Sequence, residues 1–270
     1  MEALIIKAGR IFYSICVITI GINQLIFASF RGVIFPLSPE WQTNPEIWPY
    51  LTGVALICAS VAIIFSGKGK EVALGLGSIL LALVVFWHLP YLLFIQPHKI
   101  IHLGLWADAS KALALAGGAF VVAGSFSNEI KNAGNESRFI TLLEKLIPFG
   151  RIFFSITMIE FGIDHFLYTD NISMLVPGWI PWHIFWTYFA GAALIGSGTA
   201  IIFKIKLKSV ALLQGIMIFL WFIFLHVPRA VADPFVANGN EVVSSADALA
   251  FSGIAFIIAF GKTTHPIRNE

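Results

Sequence analysis

Polar and charged residues in this chain come in clumps, and the intervals between them are apolar over about the length of a bilayer-crossing helix. Eight such stretches run over 10–28, 47–66, 72–95, 108–126, 150–168, 184–203, 209–230 and 245–261. A helix needs roughly 20 residues to cross the hydrocarbon core. None of the stretches shows the apolar/polar alternation of a membrane β-barrel strand. The pattern predicts an all-α, polytopic membrane protein with eight transmembrane helices. Composition agrees: 58% of residues are hydrophobic and only 12% charged, with a mean hydropathy of +0.85, whereas ordinary soluble domains are about 25% charged. The first stretch closely matches the fifth and lacks a small-residue cleavage site, so it is expected to remain as a span rather than be removed as a signal peptide.

That match is part of a repeat. Gly9-Arg10-Ile11-Phe12-Tyr13-Ser14-Ile15 returns as Gly150-Arg151-Ile152-Phe153-Phe154-Ser155-Ile156. Trp48, Tyr50, Gly53, Ala55 and Leu56 return as Trp186, Tyr188, Gly191, Ala193 and Leu194. His88-Leu89-Pro90 returns as His226-Val227-Pro228, and Gly117-Gly118-Ala119-Phe120 as Gly253-Ile254-Ala255-Phe256. The period is too long for a solenoid. The expected organisation is a first four-helix repeat over 1–126, a linker over 127–148 and a second four-helix repeat over 149–270. Where the copies agree, the scaffold sets the residue; where they differ, one half has specialised.

Basic residues predict the orientation. Lys7, Arg10, Lys68, Lys70, Lys131, Arg138, Lys145, Arg151, Lys204, Lys206, Lys208, Lys262 and Arg268 fall on the side of the two termini. The opposite loops hold Arg31, Lys99 and Arg229, and Lys111 falls within the fourth span. By the positive-inside rule both termini face the cytoplasm, and the repeats share one orientation. The net charge of +2 adds no basic patch beyond this and points to no nucleic acid. Cys16 and Cys58 form no C-x-x-C pair and read as small buried hydrophobes. The linker is expected to hold a short interfacial helix ending at Pro148. Pro36, Pro39, Trp41, Pro45 and Trp48 in one outer loop, and Pro177, Trp179, Pro181 and Trp182 in the other, read as an aromatic belt or as a lid over a lateral opening.

Ionisable groups at membrane depth each need a partner or a role. They concentrate in the second repeat. Glu160 lies nine residues past Arg151, about 14 Å along the helix axis. Asp164 follows at i+4 on the same face, with His165 beside it. His226 and Arg229 end the seventh span, and Asp247 opens the eighth. In the first repeat the matching positions are Thr19, Asn23, Gln24, His88, Tyr91 and, with reversed sign, Lys111. Two readings stand open. One is a structural ion-pair network in which Asp164 or Asp247 pairs with Arg229 and Lys111. The other is a proton-exchanging ligand site, because carboxylates and imidazoles in low dielectric have shifted proton affinities. Haem ligation by His88 and His226 is a weaker reading, since each lies two residues before a proline near a helix end, where capping and hydrogen bonding explain it. A zinc site from His165, His226 and a carboxylate is weaker too, having no diagnostic spacing. No phosphate loop, nucleophile elbow or H-E-x-x-H motif occurs.

Each half resembles the DoxX family of four-helix membrane proteins. The resemblance rests on Gly-Arg-Ile-Phe-Phe-Ser-Ile, Phe161-Gly162-Ile163-Asp164-His165-Phe166, Val176-Pro177-Gly178-Trp179-Ile180-Pro181, Gly191 with Gly198, and His226-Val227-Pro228. It covers almost the whole chain, more closely in the second half. It implies a bacterial inner-membrane protein with a quinone-linked or redox-accessory role. On that expectation Asp164, His165, His226 and Glu160 carry the proton chemistry. Arg229, Asp247, His88, Lys111 and Trp179 line the substrate site, quinone is the candidate substrate, and electrons come from a redox partner subunit. The alternative is a non-enzymatic carrier or assembly factor for a lipid or small amphipathic molecule.

Overall fold

The structure, a computed structural model, describes residues 1–36, 47–96, 103–126 and 137–261. Pro39, Trp41, Pro45, Lys99, Lys131, Lys262, Arg268 and the linker's first part, 127–136, lie outside the described residues. Among the described residues all regular structure is helical, with eight long helices. They are α1 (Glu2–Phe27), α2 (Trp48–Phe65), α3 (Gly69–Ile95), α4 (Leu103–Gly124), α5 (Ile147–Leu167), α6 (His183–Ile202), α7 (Leu207–Ala232) and α8 (Asn240–Phe260). Seven are long and apolar enough to cross a membrane by themselves. The exception is α5, which qualifies only together with the short helix Arg138–Glu144, bent from it by 40°. It differs by carrying Arg151, Glu160 and Asp164 along its length. The protein is thus a polytopic helical membrane protein.

The short linker helix ends at Glu144 rather than at Pro148, which sits in the first turn of α5. There its missing N–H costs nothing, because the first turn of a helix leaves its donors unpaired. Helix α1 starts at Glu2, eight residues before the expected span, because a helix need not stop where the apolar stretch does.

Glycines decide which helices touch. A Cβ on Gly9 would meet the Gly253 carbonyl at 2.6 Å, and one on Gly253 would meet the Gly9 carbonyl at 2.8 Å. The equivalent pair, Gly150 and Gly117, would collide at 2.6 Å in both directions. Helix α1 therefore lies on α8 as α5 lies on α4, so each repeat begins against the last helix of the other. Within the repeats, Gly21 faces Gly53 and the equivalent Gly162 faces Gly191 in the same way. Small residues let backbones approach where lipid supplies no hydrophobic drive for helix association. Helices α4 and α8 are the most enclosed, with 61% and 83% of their spans buried, and small residues such as Ala112, Ala116, Ala250 and Ala255 let them pack centrally.

The two interfacial arginines cap helix ends. Arg10 donates to the Ser125 hydroxyl at 2.8 Å and to the Ser125 carbonyl, and lies 3.8 Å over the Phe126 ring. Arg151 donates to the carbonyls of Ile201 and Ile202 at 2.7 and 2.8 Å. Each cation thereby satisfies carbonyls that a helix C-terminus leaves open.

Because Gly117 and Gly150 meet backbone, Gly150→Val should overpack the α4–α5 contact. It should cost about 1–3 kcal/mol, read as a lowered midpoint of thermal unfolding in detergent. Gly75→Ala and Gly196→Ala, with nothing within 4 Å of a Cβ, should leave the midpoint unchanged or raise it.

Candidate functional site

Helices α4 to α8 surround a cavity of about 310 Å³ near the end of the bundle opposite the N terminus. This is the low end of the range of about 300–1,000 Å³ usual for small-molecule sites. Its body is apolar, with Met158, Phe161, Leu194, Ile218 and Phe251 among the wall residues. Its polar groups include Asp164 and His165 from α5, Thr187 from α6, His226 from α7, Lys111 from α4 and Asp247 and Ser244 from α8. The structure therefore brings together five of the nine residues singled out in the sequence.

Asp164 and His165 reach the cavity from the last turns of α5. The Nδ1–H of His165 donates to the Phe161 carbonyl at 2.7 Å. A carbonyl only accepts, so in the neutral ring this bond fixes the tautomer and leaves the lone pair on Nε2. Glu160 stands one turn behind Asp164, outside the cavity wall, hydrogen-bonded to Asp164 and to Ser110 of α4. Its buried Oε2 has no hydrogen-bond partner.

His226 ends a π-turn, Phe222–His226, in which Val227 N–H bonds to the Phe222 carbonyl. His88 ends an equivalent π-turn, Val84–His88, with Leu89 N–H bonded to the Val84 carbonyl. The cause is local in both cases. Pro228 and Pro90 have no N–H to continue the α pattern and crowd the carbonyl one turn earlier, and a widened turn re-satisfies the backbone. The π-turn also shifts the histidine off the regular helical register. The buried Nδ1 of His226 has no hydrogen-bond partner.

Asp247 is 2% exposed. It makes an ion pair with Lys111 at 3.5 Å and accepts from the Cys16 thiol at 3.3 Å. Lys111 and Asp247 are equivalent positions of the two repeats, and positions that are equivalent and also touch lie beside the axis relating the halves. Two copies of one charge would repel there; the reversal of sign turns repulsion into a buried pair. Cys16 is thus a specific donor as well as a small buried side chain, whereas Cys58 is exposed.

The remaining candidates lie elsewhere. Arg229 pairs with Glu241 through two bonds of 2.9 and 2.8 Å, not with Asp164 or Asp247, and it is not part of the cavity wall. Trp179 is exposed and packs edge-to-face on Phe224 at 5.9 Å. His88 is buried in the first half, against the backbone of Val33 and Ile34. It therefore does not share a site with His226. Among the described residues no group of three His, Cys, Asp or Glu side chains could hold a metal.

Sequence reasoning passed over three contributors. Glu241 was signalled only by the need of Arg229 for an anion. Trp186 and Trp221 line the cavity from α6 and α7 and touch edge-to-face at 6.3 Å. Trp186 was marked only as the repeat match of Trp48, and Trp221, an aromatic residue in an apolar stretch, carried no distinguishing mark.

The first half spends its matching polar residues on structure. Asn23, in the place of Asp164, donates to the Asn238 carbonyl at 2.9 Å. Gln24, in the place of His165, donates to the Thr52 hydroxyl at 2.9 Å. The polar groups of the second half face a cavity instead.

No protein-family model, curated protein or solved structure matches this chain.

Breaking the central pair by Lys111→Leu leaves Asp247 buried without its cation. It should cost about 3–5 kcal/mol, and the double change Lys111→Leu with Asp247→Leu should recover most of it. Unfolding midpoints of the single and double variants in detergent check this.

Proposed function

We propose that this is an inner-membrane protein that takes a small amphipathic molecule from the bilayer into the cavity between α4 and α8 and exchanges protons with it. In this reading it is a quinone-linked, redox-accessory component of the DoxX type. The observation that carries the proposal is the difference between the halves. Gln24 and His88 are engaged within the first half and Asn23 by the Asn238 carbonyl of the second, whereas Asp164, His165 and His226 line an apolar hollow.

The chemistry follows from the donor set. Reduction of a quinone to a quinol takes two electrons and two protons. A redox partner subunit supplies the electrons, and the cavity supplies the protons. A carboxyl–carboxyl hydrogen bond such as that between Glu160 and Asp164 contains a proton by its nature, since neither oxygen donates without one. Asp164 passes that proton to the ligand, which leaves both carboxylates bare until a proton from water replaces it by way of Glu160. His165, with Nδ1–H held by Phe161, takes up a proton from water on Nε2 and gives it to the ligand as the second of the two. Lys111 and Asp247 close the far wall as a neutral pair and leave those groups to titrate with the ligand.

The Trp186–Trp221 contact joins α6 to α7 at the cavity wall and serves as the lateral door to the bilayer. The basic residues at the terminal end put both termini in the cytoplasm, so the cavity opens toward the outer leaflet. The resemblance of Phe161-Gly162-Ile163-Asp164-His165-Phe166 and His226-Val227-Pro228 to the DoxX pattern supports the same assignment.

The test is reduction of decylbenzoquinone by membranes that contain the chain and its partners. Asp164→Asn and His165→Ala should each lower turnover by about 100-fold or more, the scale of a lost general acid–base group, while unfolding midpoints stay near wild type. Unchanged turnover in both folded variants overturns the proton role. Probe binding without any reduction identifies a carrier instead.

A further inference from the structure

The two halves place one short loop differently. After α1 the chain turns inward, and Val33 and Ile34, 3% and 4% exposed, join the core. Arg31 anchors this turn by donating to the Asn238 carbonyl and the Asn240 side chain, both at 3.0 Å. Phe35 packs edge-to-face on Trp87 at 5.2 Å. At the inner side of the loop His88 hydrogen-bonds to the backbone of Ile34 and Val33.

In the register that pairs Gly9 with Gly150, the equivalents of Val33 and Ile34 are Met174 and Leu175. They are 73% and 38% exposed. In the second half Met174 stays outside, and the loop reaches inward only with Leu175 and Val176, which line the cavity of about 310 Å³ instead of filling it. His226 ends the same π-turn as His88, and its buried Nδ1 has no partner.

We infer that the first half holds, as its own chain, the kind of occupant that the second half takes from outside: an apolar molecule whose carbonyl oxygen accepts a hydrogen bond from His226. The inference rests on the cavity being a ligand site and adds the ligand's chemistry. Val33 and Ile34 show what fills such a space: branched aliphatic groups flanking carbonyl oxygens, with an imidazole as the polar anchor. A buried ring nitrogen left unpaired costs free energy that a ligand acceptor recovers. Two membrane molecules carry this chemistry, a quinone headgroup and the ester carbonyl of an acyl lipid.

The experiment uses the full chain in dodecyl maltoside, a detergent without carbonyl groups, and three probes. Decylbenzoquinone and methyl laurate carry the carbonyl; decylbenzene lacks it. Binding is read from the shift in thermal unfolding across a titration of each probe. At least one carbonyl probe should bind about threefold to tenfold more tightly than decylbenzene, the value of one hydrogen bond. Its ¹³C-labelled carbonyl stretch should move to lower wavenumber on binding. His226→Phe should abolish both the preference and the shift while sparing decylbenzene affinity, and His226→Gln, which keeps an N–H donor, should restore them. The carbonyl probe that binds identifies quinone or ester as the source.

Equal binding of all three probes, or a preference that survives His226→Phe, overturns the inference and leaves the cavity as an apolar site. No binding by any probe overturns the cavity reading itself and the inference with it. If His226→Phe fails to fold, the wild-type carbonyl stretch decides alone, and an unshifted stretch overturns the assignment.

Discussion

A carboxylate enclosed at the centre of a membrane protein needs a cation, and Asp247 has one in Lys111. The pair sits where the two halves meet, on the helices most enclosed by the rest of the chain. A gene that had merely duplicated would place one charge twice at this contact, and like charges in low dielectric repel strongly. Sign reversal at one pair of equivalent positions removes the conflict and makes the halves non-interchangeable. The Cys16 thiol on Asp247 fixes α1 to the same point. A departure from the repeat at two positions thus holds four-helix α1–α4 against α5–α8 in one arrangement.

Around this centre the repeated and unrepeated parts divide their roles. The glycine contacts Gly9–Gly253 and Gly117–Gly150 are equivalent and would admit no side chain on either side. They set the spacing of the helices identically in both halves, so the space enclosed by α4 to α8 has a counterpart beside α1 to α3. What differs is the filling. Val33 and Ile34 are buried in the core, while Met174 is exposed and Leu175 and Val176 line the cavity. Asymmetry in a repeated scaffold therefore arises from the placement of a loop as well as from changes on the helices, such as the second π-turn at Tyr91–Ile95 where the second half continues as α-helix.

Much of the scaffold was legible in the sequence, because an apolar run of helix length has few alternatives in lipid, where every backbone polar group must be satisfied internally. The start of α1 was not, since Lys7 and Arg10 end an apolar run without ending a helix. Asp164, His165 and His226 stood out as ionisable groups in apolar surroundings. Arg229 stood out equally, but its partner Glu241 lies in the first turn of α8, where an acidic residue reads as an ordinary complement to the helix dipole. The inward turn at Val33 and Ile34 was illegible, because buried loop residues look like the tail of the preceding span. The π-turns left only the prolines at 90 and 228 as a trace.

The distribution of charge gives the last constraint on the site. Glu241 has Arg229 and Asp247 has Lys111. Glu160 and Asp164, one helical turn apart, have each other and the Ser110 hydroxyl. Two bare carboxylates at that spacing would repel, and no ion pair to either is formed among the described residues. In the proposed function a proton shared between them does what the cation does for Glu241 and Asp247. In that proposal only Asp164 of the pair faces the cavity, so a ligand that takes the proton there leaves a charge that Glu160 must then share. The pair is suited to give a proton only when another can follow it. That requirement ties transfer at Asp164 to resupply through the α4–α5 contact, whose backbone spacing Gly117 and Gly150 set.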